Sequence, residues 1–275
     1  MHMICHNGIF VNERQPVLQA SNKGYRYGDG FFETIKVLNG NILLKQYHQK
    51  RMEKSIELLD YYLPPHTSAA LFFKQILELC EKNNCLKAAR IRLSFSNGNG
   101  GLFDEDKALN YIIEAWPLEA RSHSINENGL ITGVFPLMKK SCDPYATIKS
   151  SSALLYSLAA RYCRQYQWND CIILNQRENI CESSIANLFW ITGSRIFTPA
   201  LTEGCVDGVM RGYLIDQIGN VTETPCREKE LLEADEVFLT NAIRGIRWVN
   251  NIGAVTYNNK MVRELHHAYI QPLFL

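Results

Sequence analysis

Short apolar runs separated by tight-turn residues are the feature that most restricts how this chain can fold. Near the start of the chain, Asn7-Gly8 and Asn39-Gly40 each lie between two apolar runs. An Asn-Gly pair readily adopts the positive φ angles of a two-residue hairpin turn. The sequence therefore predicts one β-hairpin in ICHNGIFV and another in FFETIKVLNGNILL.

Helical spacing replaces this pattern in two stretches, about 45–60 and about 68–82, which Pro64-Pro65 separates. Two strands, ARIRLSFS and LNYIIEAWP, are expected after them. The first of these alternates between apolar and polar residues. The second is an almost continuous apolar run, so we expect it to be buried on both faces.

The second half of the chain continues the mixture of strands and helices. We expect strands in GLITGVFP, DCIILN, ENICE, NLFWIT, RIFTP, around Val221 and in EVFLTN, and helices over about 151–165, 206–218, 228–232 and from about 260. Because βαβ units are few among so many short strands, the fold class is α+β, a mixed α/β architecture, and not a doubly wound sheet.

The length of 275 residues, with 46% hydrophobic residues, suits two domains of ordinary size. Residues 118–128 are polar, mixed in charge and without a periodic pattern, which is typical of a linker. We therefore expect a smaller N-terminal domain over 1–117 and a larger C-terminal domain over 129–275.

The charge and cysteine content argue against several kinds of binding partner and site. The formal net charge is +1 with interspersed charges, which argues against nucleic acid and anionic membrane surfaces. The nine cysteines form no CxxC pair, so neither a disulfide framework nor a metal site is expected. With no signal-like start and no long apolar stretch, the sequence predicts a soluble, cytoplasmic protein.

Lys149 and Glu182 are the strongest candidates for catalytic residues. A lysine amine can condense with an aldehyde cofactor, and a carboxylate can hold the ring nitrogen of that cofactor protonated. Either residue alone is weak evidence, because most lysines lie on solvated surfaces. Glu182 begins the segment ESSIANLFWITG, and the flanking segments make the pair more specific.

Three other places could bind a phosphate group. The stretch DGVMR, 207–211, opens a predicted helix, whose first N–H groups would face an anion, although Asp207 could instead be a simple N-cap. Arg51 could bind phosphate with two hydrogen bonds or lie on the surface among lysines. Thr240-Asn241-Ala242 follows the strand EVFL, where it supplies a hydroxyl and turn amides or forms a plain turn.

Other conspicuous residues favour structural interpretations. The run from Ser96 to Gly101 lacks the motifs of nucleotide-binding loops and is interpreted as a loop between strands. The aromatic residues around Gly28-Asp29-Gly30 are assigned to the core and turns in preference to a substrate wall. His48 and His66 are isolated in sequence and give no catalytic triad.

Together these segments resemble the class IV, fold-type IV pyridoxal-phosphate enzymes, which include branched-chain aminotransferases, D-amino-acid aminotransferases and 4-amino-4-deoxychorismate lyases. The resemblance covers nearly the whole chain and rests on YGDGFFETIKV, HQKRMEKS, YATIKSSSALL, ICESSIANLFWITGSRIFTPAL, GVMRGYLI and EVFLTNAIRGI, in that order.

This resemblance implies a pyridoxal 5'-phosphate cofactor and a homodimer acting on a small-molecule amine or amino acid. Lys149 would bind the cofactor covalently and move a proton, and Glu182 would pair with the pyridine nitrogen. The resemblance also assigns phosphate-binding and substrate-pocket residues. They are Arg51, Val209, Met210 and Thr240 for the phosphate, and Phe32, Asn241 and Ala242 for the substrate pocket.

Three segments are most similar to those of the lyases, namely ANLFW, GVMR and TNA. The lyases release pyruvate and p-aminobenzoate. Leu154 stands where branched-chain aminotransferases have a tyrosine. The run SSSAL after Lys149 and the loop GGLFD depart from the lyase pattern, so an aminotransferase stays open, as does a non-catalytic ligand-binding relative. Four arginines could replace the missing loop arginine in binding a dicarboxylate: Arg26, Arg90, Arg92 and Arg244.

Overall fold

The computed structural model describes residues 2–106, 108–119 and 123–274, and the chain divides into two units. The first unit comprises Met1–Ser122 and Ile148–Ala153, and the second comprises His123–Thr147 and Leu154–Leu275. The predicted linker, 118–128, includes residues 120–122, which lie outside the described residues. Assignment of 148–153 to the first unit is a detail that the sequence-based domain ranges did not contain.

The first unit is a six-stranded sheet with helices packed against it, and its strand order is β2-β1-β6-β5-β3-β4. Its elements are β1 (Met3–His6), β2 (Ile9–Asn12), α1 (Lys23–Tyr27), β3 (Gly30–Leu38), β4 (Asn41–Ile42), α2 (Lys45–Leu58), α3 (Ala69–Lys82), β5 (Ala88–Ser96) and β6 (Asn110–Pro117).

Both predicted hairpins are present in this sheet. Asn7 and Gly8 have φ angles of 48° and 86°, and Asn39 and Gly40 have φ angles of 49° and 75°. These positive values give the turn geometry that follows the twist of the strands. β1 pairs antiparallel with β2, and β3 pairs antiparallel with β4, so both predictions are confirmed.

The core of the first unit lies between the sheet and the helices α2 and α3. Ile35 of β3 and Ile91 of β5 are opposite each other in the sheet, and both are fully buried. Phe95 stacks on Phe31 with ring centroids 4.6 Å apart, and Phe72 of α3 contacts Phe95 edge-on. Such aromatic pairs contribute to stability beyond the area that they bury.

Burial along β6 differs from the prediction. Its side chains alternate between buried and half-buried, with Tyr111, Ile113 and Ala115 turned inward. The expectation that both faces are buried is wrong, because only the inward set, every second residue, is covered by the core. The short helix α1 was also not predicted.

The second unit contains a nine-stranded sheet with the order β12-β11-β10-β13-β14-β7-β8-β9, in which β15 pairs with β14. Its elements are β7 (Leu130–Val134), α4 (Leu154–Gln165), β8 (Asp170–Leu174), β9 (Ile180–Ser183), β10 (Asn187–Thr192), β11 (Arg195–Thr198), α5 (Val209–Ile218), β12 (Val221–Glu223), α6 (Glu228–Leu232), β13 (Glu236–Asn241), β14 (Gly245–Ile252), β15 (Val255–Thr256) and α7 (Lys260–Leu265).

Side chains on the two faces of this sheet pack into different clusters. Ile172 and Leu239 belong to a cluster that includes Leu231 of α6, whereas Ile173 packs with Ala159 of α4. Successive residues of β8 thus serve opposite faces, as strand geometry requires. Parallel and antiparallel pairs occur in the same sheet, which confirms the mixed α/β fold class.

Two elements of the second unit differ from the sequence analysis. The helix expected from Ser151 begins at Leu154, because Ser151 is hydrogen-bonded to Gly30 in an extended segment. The strand β14 was not predicted. No helix in the described part of the chain is both long and apolar enough to cross a membrane.

Candidate active site

Lys149 lies in a short extended segment that runs beside the beginning of β3. The N–H of Phe32 donates to the Lys149 carbonyl at 3.0 Å, and the N–H of Ser151 donates to the Gly30 carbonyl at 2.9 Å. Backbone hydrogen bonds on both sides therefore fix the position from which the lysine side chain projects.

The Lys149 side chain is half-buried and contacts an aromatic ring. Its Nζ lies 4.8 Å from the centroid of the Phe32 ring, and the Arg92 guanidinium lies 3.7 Å from the same centroid. The face of an aromatic ring attracts cations, most strongly where water is partly excluded. Phe32, predicted to line the substrate pocket, is thus a direct neighbour of Lys149.

Arg51, on α2, is buried and holds Glu33 of β3 with two hydrogen bonds. Arg51 Nε donates to Glu33 Oε1 at 2.8 Å, and Nη2 donates to Oε2 at 2.5 Å. His48 Nδ1 lies 2.6 Å from the same Oε2. The view of His48 as an isolated histidine is wrong, because one turn of helix brings it beside Arg51 and onto the same carboxylate.

The titration of this cluster follows from its burial and charges. Burial alone raises the pKa of Glu33, but the charge of Arg51 and the hydrogen bonds from His48 and Arg51 outweigh it and lower that pKa to about 2. Burial lowers the pKa of His48, although Glu33 acts in the opposite direction. The cluster thus contains a carboxylate that stays ionised in mild acid.

Glu182, on β9, is a buried carboxylate that accepts three hydrogen bonds. Lys140 Nζ and the Tyr156 hydroxyl each donate to Oε1 at 2.5 Å, and the backbone N–H of Val206 donates to Oε2 at 2.9 Å. Burial and the neighbouring Glu182 charge raise the pKa of Tyr156, so its hydroxyl remains a donor. Oε1 therefore has two donors and Oε2 has one.

Lys140 and Tyr156 were missed by the sequence analysis. Lys140 is 42 residues from Glu182 in sequence, and Tyr156 is 26 residues away. No local pattern singles out Lys140 from its exposed neighbour Lys139, which pairs with Glu178. Tyr156 was detectable only as a polar group in the amphipathic helix α4.

The N-terminus of α5 contains the predicted phosphate-binding residues Val209 and Met210, both buried. Gly208 is the N-cap, not Asp207, and as a glycine it has no side chain to cap the helix. A Cβ on Gly208 would lie 1.8 Å from Asn187 Oδ1, so only glycine fits there. The first amides of α5 are the kind of group that binds anions.

Thr240 lies near the end of β13 with its side chain buried. Its Oγ1 has no hydrogen-bond partner within the described ranges. A buried hydroxyl without a partner is unfavourable by about 1–3 kcal/mol, so such groups are uncommon unless a ligand satisfies them. Asn241 and Ala242, predicted to line the substrate pocket, are half-buried at the end of the same strand.

Cys163, Asp170 and Cys171 bring three potential metal-ligating atoms within 4.8 Å of one another in the second unit. The Asp170 carboxylate already accepts hydrogen bonds from the hydroxyls of Ser183 and Ser184. The N–H of Cys171 also donates to this carboxylate at 2.8 Å. With these lone pairs occupied, the cluster has the character of a hydrogen-bonded part of the core.

The sequence profile of the amino-transferase class IV family matches residues 30–252. That range includes Phe32, Arg51, Lys149, Glu182 and Thr240. The chain belongs to this family, and it is an enzyme of the pyridoxal-phosphate-dependent class that the family comprises.

Curated relatives within the family have different activities. The chain is 28% identical over 275 residues to the aminodeoxychorismate lyase of Bacillus subtilis (strain 168), covering 94% of this chain and 89% of that protein. It is 23% identical over 288 residues to the D-alanine aminotransferase of Listeria monocytogenes serotype 1/2a (strain 10403S), covering 97% and 94%.

Solved structures of low sequence identity share the fold. The branched-chain aminotransferase of Thermoproteus uzoniensis, crystallised with norvaline, superimposes with a TM-score of 0.88 at 20% identity. The match covers 99% of this chain and 95% of that one. Similarity at this level of identity establishes the architecture only.

The residues present fit the needs of pyridoxal 5'-phosphate. The unpartnered Thr240 hydroxyl and the first amides of α5 are donors suited to a phosphate. Glu182 is a buried acceptor suited to a ring N–H, and Lys149 supplies a primary amine. This donor and acceptor set matches the cofactor that the family uses.

Proposed function

We propose that this enzyme is a 4-amino-4-deoxychorismate lyase, which releases pyruvate and p-aminobenzoate. The observation that carries the assignment to pyridoxal-phosphate chemistry is Glu182, a buried carboxylate held by Lys140, Tyr156 and the Val206 amide. The choice of the lyase within the family rests on two curated lyases, from Bacillus subtilis at 28% identity and from Vibrio harveyi at 27%.

In this proposal Lys149 would bond covalently to the cofactor, and four residues would bind its phosphate. They are Arg51, Val209, Met210 and Thr240. Two of them contribute backbone N–H groups at a helix N-terminus, one contributes a hydroxyl and one a guanidinium. The Glu33 carboxylate keeps the Arg51 guanidinium in a fixed orientation through two hydrogen bonds.

When bound, the cofactor would supply an electron sink for the substrate carbon next to the amine and so weaken its C–H bond. Glu182 would accept a hydrogen bond from the N–H of the cofactor ring. Oε2 is the oxygen suited to this contact, because Oε1 already accepts from both Lys140 and Tyr156. Val206 and the α5 amides lie close together in sequence, so one backbone segment orients both Glu182 and the phosphate donors.

Lys149 acts as the base that accepts the substrate proton at its Nζ and returns it later. The Phe32 ring beside Nζ excludes water from one side of the amine. An amine accepts a proton only in its neutral form, and partial exclusion of water favours that form. Phe32, Asn241 and Ala242 are proposed to line the substrate pocket.

An aminotransferase that acts on branched-chain or D-amino acids is the second candidate. It is favoured by the D-alanine aminotransferase relatives and by the departures of SSSAL and GGLFD from the lyase pattern. Leu154, 61% exposed, counts against a branched-chain enzyme because a tyrosine is expected there. In this case too, Lys149 and Glu182 would keep the same roles.

Visible absorption of the purified protein tests cofactor and lysine together. We expect a cofactor band that Lys149→Ala abolishes and Lys139→Ala preserves, since only the first variant lacks the amine that bonds to the cofactor. A band that is unchanged in Lys149→Ala contradicts the proposed site and favours a non-catalytic ligand-binding relative.

Product analysis then separates the two reactions. Incubation with 4-amino-4-deoxychorismate should release pyruvate and p-aminobenzoate in equal amounts. Incubation with single L- or D-amino acids should leave the cofactor spectrum unchanged. Conversion of the cofactor to its amine form by one amino acid, with recovery on adding a keto acid, would identify an aminotransferase instead.

We also propose that the enzyme is a homodimer, as the class IV resemblance implies. The chain mass is 31.5 kDa, so light scattering of the purified protein should give about twice that value. A mass equal to one chain at micromolar concentration would rule the dimer out.

A further inference from the structure

The second unit contains a cavity of about 240 Å³ whose lining includes none of the proposed cofactor-binding residues and, of the proposed substrate-pocket residues, only Asn241. It is lined by Leu130, Asn169, Asp170, Ile185, Ala186, Leu239, Asn241, Arg244 and Arg247. Leu239 and Asn241 are alternate residues of β13, so Thr240 between them points to the opposite face of the sheet. The cavity and the proposed phosphate donor Thr240 therefore lie on different faces.

Glu182 is on the same face as Thr240. It is opposite Ile173 in the pairing of β8 with β9, and Ile173 packs against α4. The cavity-lining Leu239 belongs to the cluster on the other face, together with Ile172. Hence both strand residues proposed to bind the cofactor face away from the cavity.

Two arginines line this cavity, and neither pairs with an acid in the described part of the chain. Neither Arg244 nor Arg247 forms an ion pair with any residue among those described. The Nε of Arg247 is buried and has no hydrogen-bond partner. Guanidinium groups remain charged when buried, so an unpaired one is unfavourable unless an anion binds to it.

Asp170 also lines the cavity but does not serve as the missing partner. Its Oδ1 accepts hydrogen bonds from the Cys171 amide and from the amide and hydroxyl of Ser184. Its Oδ2 accepts from the Ser183 hydroxyl. These bonds hold the carboxylate between β8 and the β9–β10 turn, and among the described residues it forms no ion pair with either arginine.

The polar end of the cavity is fixed before any ligand arrives. Asn241 Oδ1 accepts hydrogen bonds from the N–H groups of Ile243 and Arg244, at 3.1 and 2.9 Å. This turn sets the backbone from which Arg244 projects, while Arg247 is held within β14 opposite Leu239. Two guanidinium groups on a fixed backbone are suited to bidentate binding of a planar carboxylate or a phosphate.

The remaining walls are apolar. Leu130, Leu239, Ile185 and Ala186 line the cavity with the arginines, and Ile185 is 62% exposed. The volume is below the usual range for drug-sized ligands, roughly 300–1,000 Å³. A matching ligand has one anionic group and a short apolar body.

We propose that this cavity binds a small organic anion, a carboxylate or phosphate ester with a compact apolar group, independently of the cofactor and the substrate. Arg247 and Arg244 bind the anionic group, and the four aliphatic side chains contact the apolar body. This inference does not rest on the proposed lyase activity.

Calorimetry on the cofactor-loaded wild-type enzyme tests the proposal with three probes. Cyclohexanecarboxylate should bind with one site per chain, and its neutral isostere cyclohexanecarboxamide should bind at least about 10-fold more weakly, since it cannot pair with a guanidinium. Cyclohexyl phosphate distinguishes the two anion classes by its relative affinity. Equal binding of the acid and the amide overturns the proposal.

Arg247→Met and Arg244→Met should each weaken cyclohexanecarboxylate at least about 10-fold. Arg263→Met, which removes an exposed arginine of the same unit, should bind like the wild type. Arg244 is exposed, so its variant keeps the test valid if Arg247→Met does not fold. Unchanged affinity in Arg244→Met contradicts the proposal.

Two further results locate the site. Lys149→Ala should bind cyclohexanecarboxylate as tightly as the wild type, since the proposed ligand does not contact the cofactor. Steady-state kinetics with the amine substrate should show no competitive inhibition by this probe. Competition, or loss of binding in Lys149→Ala, would mean that the probe occupies the active site, and would refute an independent anion site.

Discussion

Glu182 forms an ion pair with Lys140, whose Nζ is 2.5 Å away and whose side chain is almost fully buried. Removing one partner of a buried ion pair leaves the other charge uncompensated, which typically costs about 3–5 kcal/mol. Exposed pairs contribute about 0–1 kcal/mol. The neighbouring pair of Lys139 and Glu178 is of the exposed kind and gives a matched control.

We therefore expect Lys140→Met to lower the free energy of unfolding of the cofactor-free enzyme by about 3 kcal/mol and Lys139→Met by about 1 kcal/mol or less. Adding pyridoxal 5'-phosphate should recover part of the loss in Lys140→Met, because the ring N–H provides a new partner for Glu182. Urea unfolding with and without cofactor measures both effects. Equal losses in the two variants would contradict this role of Lys140.

Replacing Thr240 should stabilise the cofactor-free protein but weaken binding of the cofactor. The unpartnered hydroxyl of Thr240 makes the cofactor-free protein less stable, so Thr240→Val should raise the Tm of that form. The same change should weaken pyridoxal 5'-phosphate about 10-fold and leave pyridoxal, which has no phosphate, unaffected. Fluorescence titration with both ligands checks this.

Thr222→Val serves as the control for that experiment, since Thr222 is an exposed residue of β12. It should change neither affinity. A parallel loss of affinity for pyridoxal in Thr240→Val would show that the threonine acts on the ring or on the fold and not on the phosphate.

Individual residues were predictable from sequence where a motif surrounds them. Lys149 and Glu182 stood out through YATIKSSSALL and ICESSIANLFWITG, and their roles remain predictions that the spectra will test. Lys140 could not be found in this way, because it meets Glu182 through a contact spanning 42 residues. His48 was dismissed because its partner Glu33 lies on another element, β3.

At the scale of elements, the buried cluster of Glu33, His48 and Arg51 connects β3 to α2. Arg51 and its hydrogen bonds lower the pKa of Glu33 to about 2 against the opposing effect of burial, from a usual value of 4.5. A depressed carboxylate pKa contributes stability above pH 4.5, and this contribution is lost as the pH falls towards 2.

His48 acts in the same direction. Burial lowers its pKa below 6.5, so the folded state holds the ring neutral, and protonation in the unfolded state draws the equilibrium towards unfolding below that pH. We expect the free energy of unfolding to fall steadily from pH 6.5 to pH 2. Glu33→Gln should be less stable at pH 7 and lose less stability between pH 4.5 and pH 2.

Chemical denaturation at several pH values measures how the free energy of unfolding changes with pH. Glu53→Gln is the control, because Glu53 is an exposed residue of the same helix as Arg51. Its stability should follow the wild-type pH dependence. If Glu33→Gln also does so, the cluster does not govern the acid sensitivity.

Elements fixed by local chemistry were predicted well. The hairpin turns at Asn7-Gly8 and Asn39-Gly40 depend on backbone preferences of the residues themselves. The start of α4 was wrong because Ser151 makes its hydrogen bond to Gly30, 121 positions earlier in the chain, and a distant partner overrides local helical spacing.

Across the whole molecule, cysteine is used as a small apolar core residue. All nine cysteines are free, and eight of them are buried. Burial raises the pKa of Cys205 and Cys226 to about 12, so their thiolate forms are scarce at neutral pH. Because the thiolate is the reactive form, these buried cysteines should not react with thiol reagents while the protein is folded.

Cys142 is the exception, since its side chain is half-buried and its Sγ lies 3.8 Å from the Glu203 carbonyl. The native enzyme should therefore react with one equivalent of Ellman's reagent, and protein unfolded in guanidinium chloride should react with nine. Cys142→Ser should remove the native reaction and leave eight equivalents after unfolding. Several fast-reacting thiols in the native state, or fewer than nine after unfolding without reductant, would mean that the cysteines are not free, buried core residues.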